Sequence, residues 1–292
     1  MKALNRLVKG ILPAIAVQRL KYLRRHGKFP NLQNPRTFTE KVFRRKLFER
    51  NPLFTECTDK LLVRPYVSER VGSDVLVPLL FQTHDPERLY ELDTWANTVI
   101  KANHGWRMME IISDQEPGLE EKARVISECR KWLATEHAGT NSEYHYIGIT
   151  PAIMVERFVG SRHHAPLDCK VHCFRQLDGS VKSAVQLVAD RFEAKAMTYY
   201  LGGLEEGNIV RTFGAGAPRI EPSQRALIAD ALNKSEVLCR DFDYVRVDWM
   251  ITSDRIYFSE LTFTPGAGLS SSMGAELDRK LGEFWVKPAA DV

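Results

Sequence analysis

Arg246, Asp248 and Glu260 lie within "VRVDWMITSDRIYFSELTFTPGAG", residues 245 to 268, where a polar turn joins two apolar runs. Charges spaced this way in otherwise core-like strands need a partner. A three-residue hairpin loop at Ser253, Asp254 and Arg255 pairs Thr252 with Ile256. Asp248 then faces Glu260, Arg246 faces Thr262, and period two puts all four side chains on one side of the sheet. Two carboxylates in register repel each other unless a divalent cation lies between them. Oxygen donors of this kind suit Mg²⁺, which keeps several waters and binds substrate phosphates. Arg246 would then neutralise phosphate charge. The other reading is a solvated sheet face with an Arg–Glu cross-strand pair, and spacing alone leaves both open.

"IKANHG" puts Lys101 in an expected strand, with His104 and Gly105 in the loop beyond it. A lysine there needs an anion, for which nucleotide phosphate would serve, or an edge position that lets it reach solvent. In "DCKVHCF", Cys169, Val171 and Cys173 fall on one face and Asp168, Lys170 and His172 on the other. The cysteines read as small buried hydrophobes; the polar triplet lines a cleft or faces water. The loop "TFTPGAGLSSSMG" has the Pro, Gly and Ser content that lets backbone approach a ligand. His163 and His164 have no partner at ligand spacing, so no metal role is expected of them.

These residues need elements to hold them. Thr37 and Glu40 have capping-box spacing, and Val42, Phe43, Leu47 and Phe48 follow at helical spacing. "TDKLLVRPYVSERVG" reads as a helix from Thr58 toward Gly72, disturbed at Pro65, and "VLVPLLF" as a strand. From about residue 96 strands and helices alternate: "NTVIKANHG" strand, "LEEKARVISECRKWLATEH" helix, "PAIMVERFVG" strand, "DCKVHCFRQLDGSVKSAVQLV" hairpin, "PSQRALIADALNKSEVLCRDF" helix. The order indicates α+β or mixed α/β packing, not a TIM barrel or an all-β sandwich.

With 292 residues, 44% of them hydrophobic, the chain can bury a sizeable core. A mean hydropathy of −0.28 and the lack of a long apolar run predict a soluble protein. "GILPAIAV" is short, contains Pro13 and precedes charge, so no secretory signal is expected. Five cysteines without a CxxC argue against a disulfide framework or zinc ribbon, and the expected compartment is the cytoplasm.

The net charge of +4 hides an asymmetry: nine Lys and Arg, from Lys2 to Arg36, precede the first acid, Glu40, which leaves −5 on the rest. No other region offers a basic stripe, so nucleic acid is not an expected partner. Leu4, Leu7, Val8, Ile11, Leu12 and Ile15 recur at steps of three and four. Residues 1–28 therefore form either a basic helix lying on the inner face of a membrane or a helix packed on the protein's own body.

In chain order, "NPRTFTEK", "RNPLFTECTDK", "IKANHG", "MVERFVG", "VRVDW" and "ELTFTPGAG" resemble the TupA-like ATP-grasp family, which is linked to teichuronopeptide and other surface-polysaccharide biosynthesis. The resemblance runs from about residue 30 to "KLGEFWVKP". It implies an α+β ATP-grasp fold with nucleotide held between two α+β lobes. Residues 1–57 would be a basic, helical N-terminal extension and 58–292 the ATP-grasp domain. Within it, about 96–157 would be the smaller, nucleotide-covering lobe and about 158–292 the larger lobe with the metal site.

The resemblance also implies roles. Lys101 would bind ATP phosphates with His104 beside it, and Glu156 the adenine end, with Arg157 contributing backbone. Lys60, or Arg64 on the same helix, would add a phosphate contact, and Lys170 occupies a position often basic in the relatives. Asp248, Glu260 and Thr262 would hold Mg²⁺, Thr262 standing where ATP-grasp enzymes usually have Asn. Arg246 would stabilise the transferred phosphoryl group. Relatives carry a Gly-rich run after "NHG"; here "HGWRMMEI" puts Trp106 and Arg107 in its place.

The implied cofactors are ATP and Mg²⁺. The implied activity is carboxylate–amine ligation through an acyl phosphate, joining an amino acid or amine to a uronic-acid carboxyl. The partners would be a small-molecule or glycan acceptor and an amine donor. A kinase acting on a sugar hydroxyl and a non-catalytic ATP-binding assembly protein are the alternatives.

Overall fold

Turn residues and alternating apolar runs divide most of the chain between two antiparallel sheets. The computed structural model describes residues 14–135, 143–160, 166–189, 196–202, 204–214 and 220–286. His163 and His164 lie outside these residues. The helices are α1 (Ala14–His26), α2 (Phe38–Phe48), α3 (Pro52–Thr58), α4 (Val63–Val71), α5 (Leu119–Leu133), α6 (Pro222–Leu238) and α7 (Gly274–Phe284).

The smaller sheet contains β1 (Leu79–Thr83), β2 (Thr98–Ala102), β3 (Met109–Ile112) and β4 (Ile153–Arg157), in the order β1-β4-β2-β3. It thus draws on chain well ahead of residue 96, because β1 pairs along β4. Helix α5 covers one face, packing Val125, Ile126 and Cys129 onto Ile100, Ile153 and Val155.

The larger sheet contains β5 (Leu167–Arg175), β6 (Val181–Ala189), β7 (Ala196–Leu201), β8 (Ile209–Phe213), β9 (Tyr244–Ile251) and β10 (Ile256–Thr262). Its order is β10-β9-β5-β6-β7-β8. Cys169, Val171 and Cys173 are fully buried, in one core with Val247, Trp249 and residues of α6. The opposite face carries Phe174 and Tyr244, which pack against Phe38 and Val42 of α2 and Leu281 of α7. With both faces buried, the strand sequence Val-Arg-Val-Asp-Trp has to place its charges inside the molecule.

Helix α2 begins with the expected capping box. Thr37 accepts from the Glu40 amide, and the Glu40 carboxylate accepts from the Thr37 amide at 3.2 Å. Val42 and Phe43 are fully buried while Phe48 is exposed. Buried Arg45 donates to the Tyr244 carbonyl at 2.8 Å, pairs with Asp243 and stacks 4.4 Å over Trp285. Phe38, Val42 and Arg45 therefore pack into the large sheet's core, while Phe43 and Leu47 pack with Tyr22 of α1.

Helix α1 buries Tyr22, whose hydroxyl lies 3.1 Å from that of Thr39 and whose ring stacks on His26 at 4.1 Å. Of the two readings of the basic segment, packing on the body holds for Ala14–His26; the apolar set from Leu4 to Leu12 lies outside the described residues. Among the described residues no helix is long and apolar enough to cross a membrane.

Candidate active site

The hairpin that carries the charges turns differently from the expected loop. Ile251, not Thr252, pairs with Ile256, and Thr252 closes the turn by donating its amide to Arg255 O at 3.0 Å. A bulge between Phe258 and Glu260 then adds one residue and restores Asp248 opposite Glu260 and Arg246 opposite Thr262. The turn is one residue off the expectation, yet the facing pairs are those expected.

Asp248 is 1% exposed and held from both sides. Arg246 Nε and Nη2 donate to its two oxygens at 2.6 and 2.7 Å, and Lys170 Nζ lies 2.5 Å from Oδ2. Lys170 also meets Asp168 at 3.1 Å. Arg246 Nη2 reaches Thr262 Oγ1 at 3.0 Å and Glu260 at 3.4 Å, and the Thr262 hydroxyl donates to Glu260 at 3.0 Å. Burial would raise the Asp248 carboxyl, but Arg246 and Lys170 bring it below the usual carboxylate range. Burial likewise opposes the charge on Arg246, and Asp248 outweighs it and raises its pKa. The cross-strand Arg–Glu contact of the other reading is present, with Glu260 partly exposed beside a buried Asp248.

The smaller sheet carries a second cluster. Glu156, 6% exposed on β4, accepts Lys101 Nζ of β2 at 2.6 Å through one oxygen and Arg64 Nη1 of α4 at 3.0 Å through the other. Arg64 is fixed further by the Val77 carbonyl at 2.8 Å. Lys60 donates to the Gly105 carbonyl at 2.6 Å. Burial lowers the Lys60 pKa, against the charge of Glu260 on one sheet and with that of Lys101 on the other. Lys60 is therefore subject to the charges of both clusters.

Two expected nucleotide contacts are engaged elsewhere. His104 points into the small lobe, its ring nitrogens 3.3 Å from Asn103 Oδ1 and 3.2 Å from Trp132 O, and burial lowers its pKa. It holds the loop rather than facing the cleft. The Arg157 amide donates to Pro78 O at 3.1 Å, and its side chain is exposed. Asn103 anchors the same loop with its amide 3.0 Å from Asp59.

A cavity of about 690 Å³ opens from the Arg246, Glu260 and Thr262 end. The Pro-Gly loop forms its floor. Ala267 has φ 54° without being glycine, and at Gly268, φ 68°, a Cβ would meet the Phe43 amide at 2.8 Å. Such strained backbone persists where surrounding packing enforces it; here α2 supplies that packing, and His26 of α1 lies 3.1 Å from Gly268 O. Glu143 and His145 also line the cavity, with Thr264 bonded to Glu143 and 3.4 Å from His145. Nothing local in the sequence marks these two, because they meet Thr264 from about 120 residues away. Asp168 did carry a signal, since it shares the Lys170 face.

Asp248, Glu260 and Thr262 offer the hard oxygen donors that Mg²⁺ takes, with waters or phosphate oxygens left to complete its shell. Among the described residues no group of three or more His, Cys, Asp and Glu could hold a metal by itself. Arg246 and Lys170 take three of the roughly four acceptor positions on the Asp248 oxygens, so a cation that binds both oxygens has to displace one of them. With that rearrangement the donor set fits Mg²⁺.

Two antiparallel sheets on an α+β frame, each carrying a carboxylate clasped by two cations, define the class of protein. The chain belongs to the TupA-like ATP-grasp family, whose profile matches residues 40–286, and its fold is the ATP-grasp fold. Among curated proteins none matches it in sequence. Solved structures that resemble it include D-alanine–D-alanine ligase from Helicobacter pylori (11% identity, TM-score 0.48, covering 79% of this chain and 61% of that one). N5-carboxyaminoimidazole ribonucleotide synthetase from Thermus thermophilus aligns at 14% identity and TM-score 0.45, covering 82% and 56%. D-alanine–D-alanine ligase from Bacillus anthracis, complexed with ATP, aligns at 13% and 0.39, covering 74% and 56%. The chain spans 56 to 61% of the length of these proteins.

Proposed function

We propose that the protein is an ATP-dependent carboxylate–amine ligase that joins an amino acid or amine to a uronic-acid carboxyl during surface-polysaccharide biosynthesis. The observation that carries this reading is a carboxylate-rich cluster on one sheet, beside a cavity large enough for an acceptor, together with a cation-rich cluster on the other sheet. Lys101, with Lys60 and Arg64 near it, would take the phosphates of ATP. Asp248, Glu260 and Thr262 would hold Mg²⁺, which when bound neutralises phosphate charge and orients the γ-phosphoryl group. Arg246, released from Asp248, would stabilise the charge that develops on that group.

The acceptor carboxylate oxygen attacks the γ-phosphorus and the bond to the β-phosphate oxygen breaks, giving acyl phosphate and ADP. The amine then attacks the acyl carbon, phosphate leaves, and the amine loses one proton. The protein's part is positioning and charge neutralisation. ADP release that requires both a uronic acid and an amine, with the amide found by mass spectrometry, tests the reading. A stable phosphorylated sugar would replace it with the kinase, and nucleotide binding without ADP under any acceptor mixture with the assembly role.

A further inference from the structure

The cavity beside Glu260 is larger than a phosphoryl group and metal require, and part of its wall is made by segments outside the metal-bearing hairpin. Arg25 comes from α1, ahead of the family match at residue 40; Trp106 comes from the loop between β2 and β3; and Ser270, Ser271 and Ser272 follow the Pro-Gly loop. Each has chemistry suited to a particular ligand.

Trp106 is 51% exposed, whereas the other four tryptophans are between 0 and 8% exposed. An indole left half open over a cavity is a flat apolar platform with a polar tip. Its neighbour Arg107 holds φ 60° and places its guanidinium 4.9 Å over the indole, so strained backbone and a cation–π contact fix the ring's position. In the same wall the serines supply hydroxyls able to donate and accept, with Ser270 and Ser272 already 2.8 Å apart. Arg25 is exposed on the last turn of α1. That turn is held by His26 on Gly268 O, so the guanidinium stands on fixed backbone. An aromatic face, a row of hydroxyls and a guanidinium suit a sugar ring that bears a carboxylate.

We propose that this wall is an acceptor subsite for an acidic oligosaccharide: Trp106 stacks on a sugar ring, and Arg25 pairs with a carboxylate on the unit next to the one that reacts near Arg246. The proposal rests on the ligase reading and names the residues that choose its acceptor. It requires at least two acidic units, because one carboxylate cannot serve both Arg25 and the phosphoryl end.

Tryptophan emission reports on the subsite directly, since Trp106 is the half-exposed indole. Full-length protein is titrated with digalacturonate, galacturonate and a neutral disaccharide, without nucleotide. ATP binding is measured on the same preparations. Digalacturonate is expected to blue-shift the emission and to bind roughly tenfold tighter than either other sugar. Arg25→Gln should bring digalacturonate to within about threefold of the neutral disaccharide while ATP affinity holds. Trp106→Phe should remove the shift but keep most of the affinity by calorimetry, and Trp106→Ala should lose roughly tenfold. Equal binding of charged and neutral disaccharides, or an Arg25→Gln protein that still prefers the charged one, overturns the subsite. Failure to bind ATP instead sinks the ligase reading, whatever the sugars do.

Discussion

Asp248 on the large sheet and Glu156 on the small one are each a buried carboxylate clasped by two cations, yet the two clusters differ in what surrounds them. Around Asp248, Arg246 and Lys170 face three carboxylates once Asp168 and Glu260 are included. Around Glu156, Lys101 and Arg64 are two cations facing that one carboxylate, while Asp59 is turned into the Asn103 amide. The first end is short of positive charge and the second short of negative charge. Bringing a cation to one and polyphosphate to the other corrects both imbalances, which is the physical content of an ATP and Mg²⁺ site.

The largest test separates structure from chemistry at the first end. Asp248→Asn changes little volume, but it leaves Arg246 and Lys170 without a counter-charge in a buried setting. Breaking a buried pair in this way costs about 3–5 kcal/mol. Glu260 is 38% exposed at its side chain and meets Arg246 at 3.4 Å, so Glu260→Gln should cost less than about 1 kcal/mol. Both variants should lose turnover. Urea midpoints that fall equally would show that the two carboxylates are not differently embedded.

Acid should strike the Asp248 end next. Burial, with Arg246 across the strand, brings His172 down to about 3; burial, with Arg45, brings His145 down to about 4. An unfolded histidine titrates near about 6.5. Between these values the unfolded chain binds more protons, so stability is full above pH about 6.5 and falls as the pH drops. Each group accounts for on the order of 3 kcal/mol by pH 4. His145→Gln should flatten the stability curve between pH 6.5 and 4; a curve as steep as that of the parent would mean that His145 is protonated in the fold.

At the cation-rich end the effect is on ligand. Lys101→Ala should weaken ATP by about tenfold to a hundredfold, the worth of a charge-assisted bond, and adenosine by less than about threefold. The fold should hold, since Arg64 still pairs with Glu156. Equal losses for both ligands, measured by calorimetry, would remove Lys101 from the phosphates.

Much of this arrangement was legible because it rests on short-range pattern. The capping box at Thr37, the alternation of "DCKVHCF" and the shared face of Arg246 and Asp248 all follow from spacings within one or two elements. The bulge at Ser259 was not legible, since an unpaired residue in a strand leaves no compositional trace, and it happened to offset the turn. The short edge strands β3 and β8 lack a clean alternation because neither of their faces is wholly buried. His104 misled because a histidine beside a lysine strand looks like a ligand contact, whereas the carbonyl that holds it belongs to Trp132, 28 residues away. Arg25 and Trp106 come to line one cavity only through tertiary packing, which local spacing does not encode.

The smallest effect turns on a sign. If Glu156 recognises adenine, Glu156→Gln should weaken ATP and adenosine together. The geometry favours another outcome, because both carboxylate oxygens hold cations and Lys101 has to leave Glu156 to reach a phosphate. Glutamine keeps the volume and one acceptor oxygen while removing the charge that competes with ATP for Lys101. The ammonium is then freer, and the end that was short of negative charge becomes shorter still. A net gain of about 1 kcal/mol, the worth of one hydrogen bond, should make ATP bind roughly fivefold tighter to Glu156→Gln, with adenosine unchanged. The gain should shrink at high salt, since screening weakens the attraction it depends on. A parallel loss of ATP and adenosine would return Glu156 to the adenine, and with it the view that the two clasped carboxylates do unrelated work.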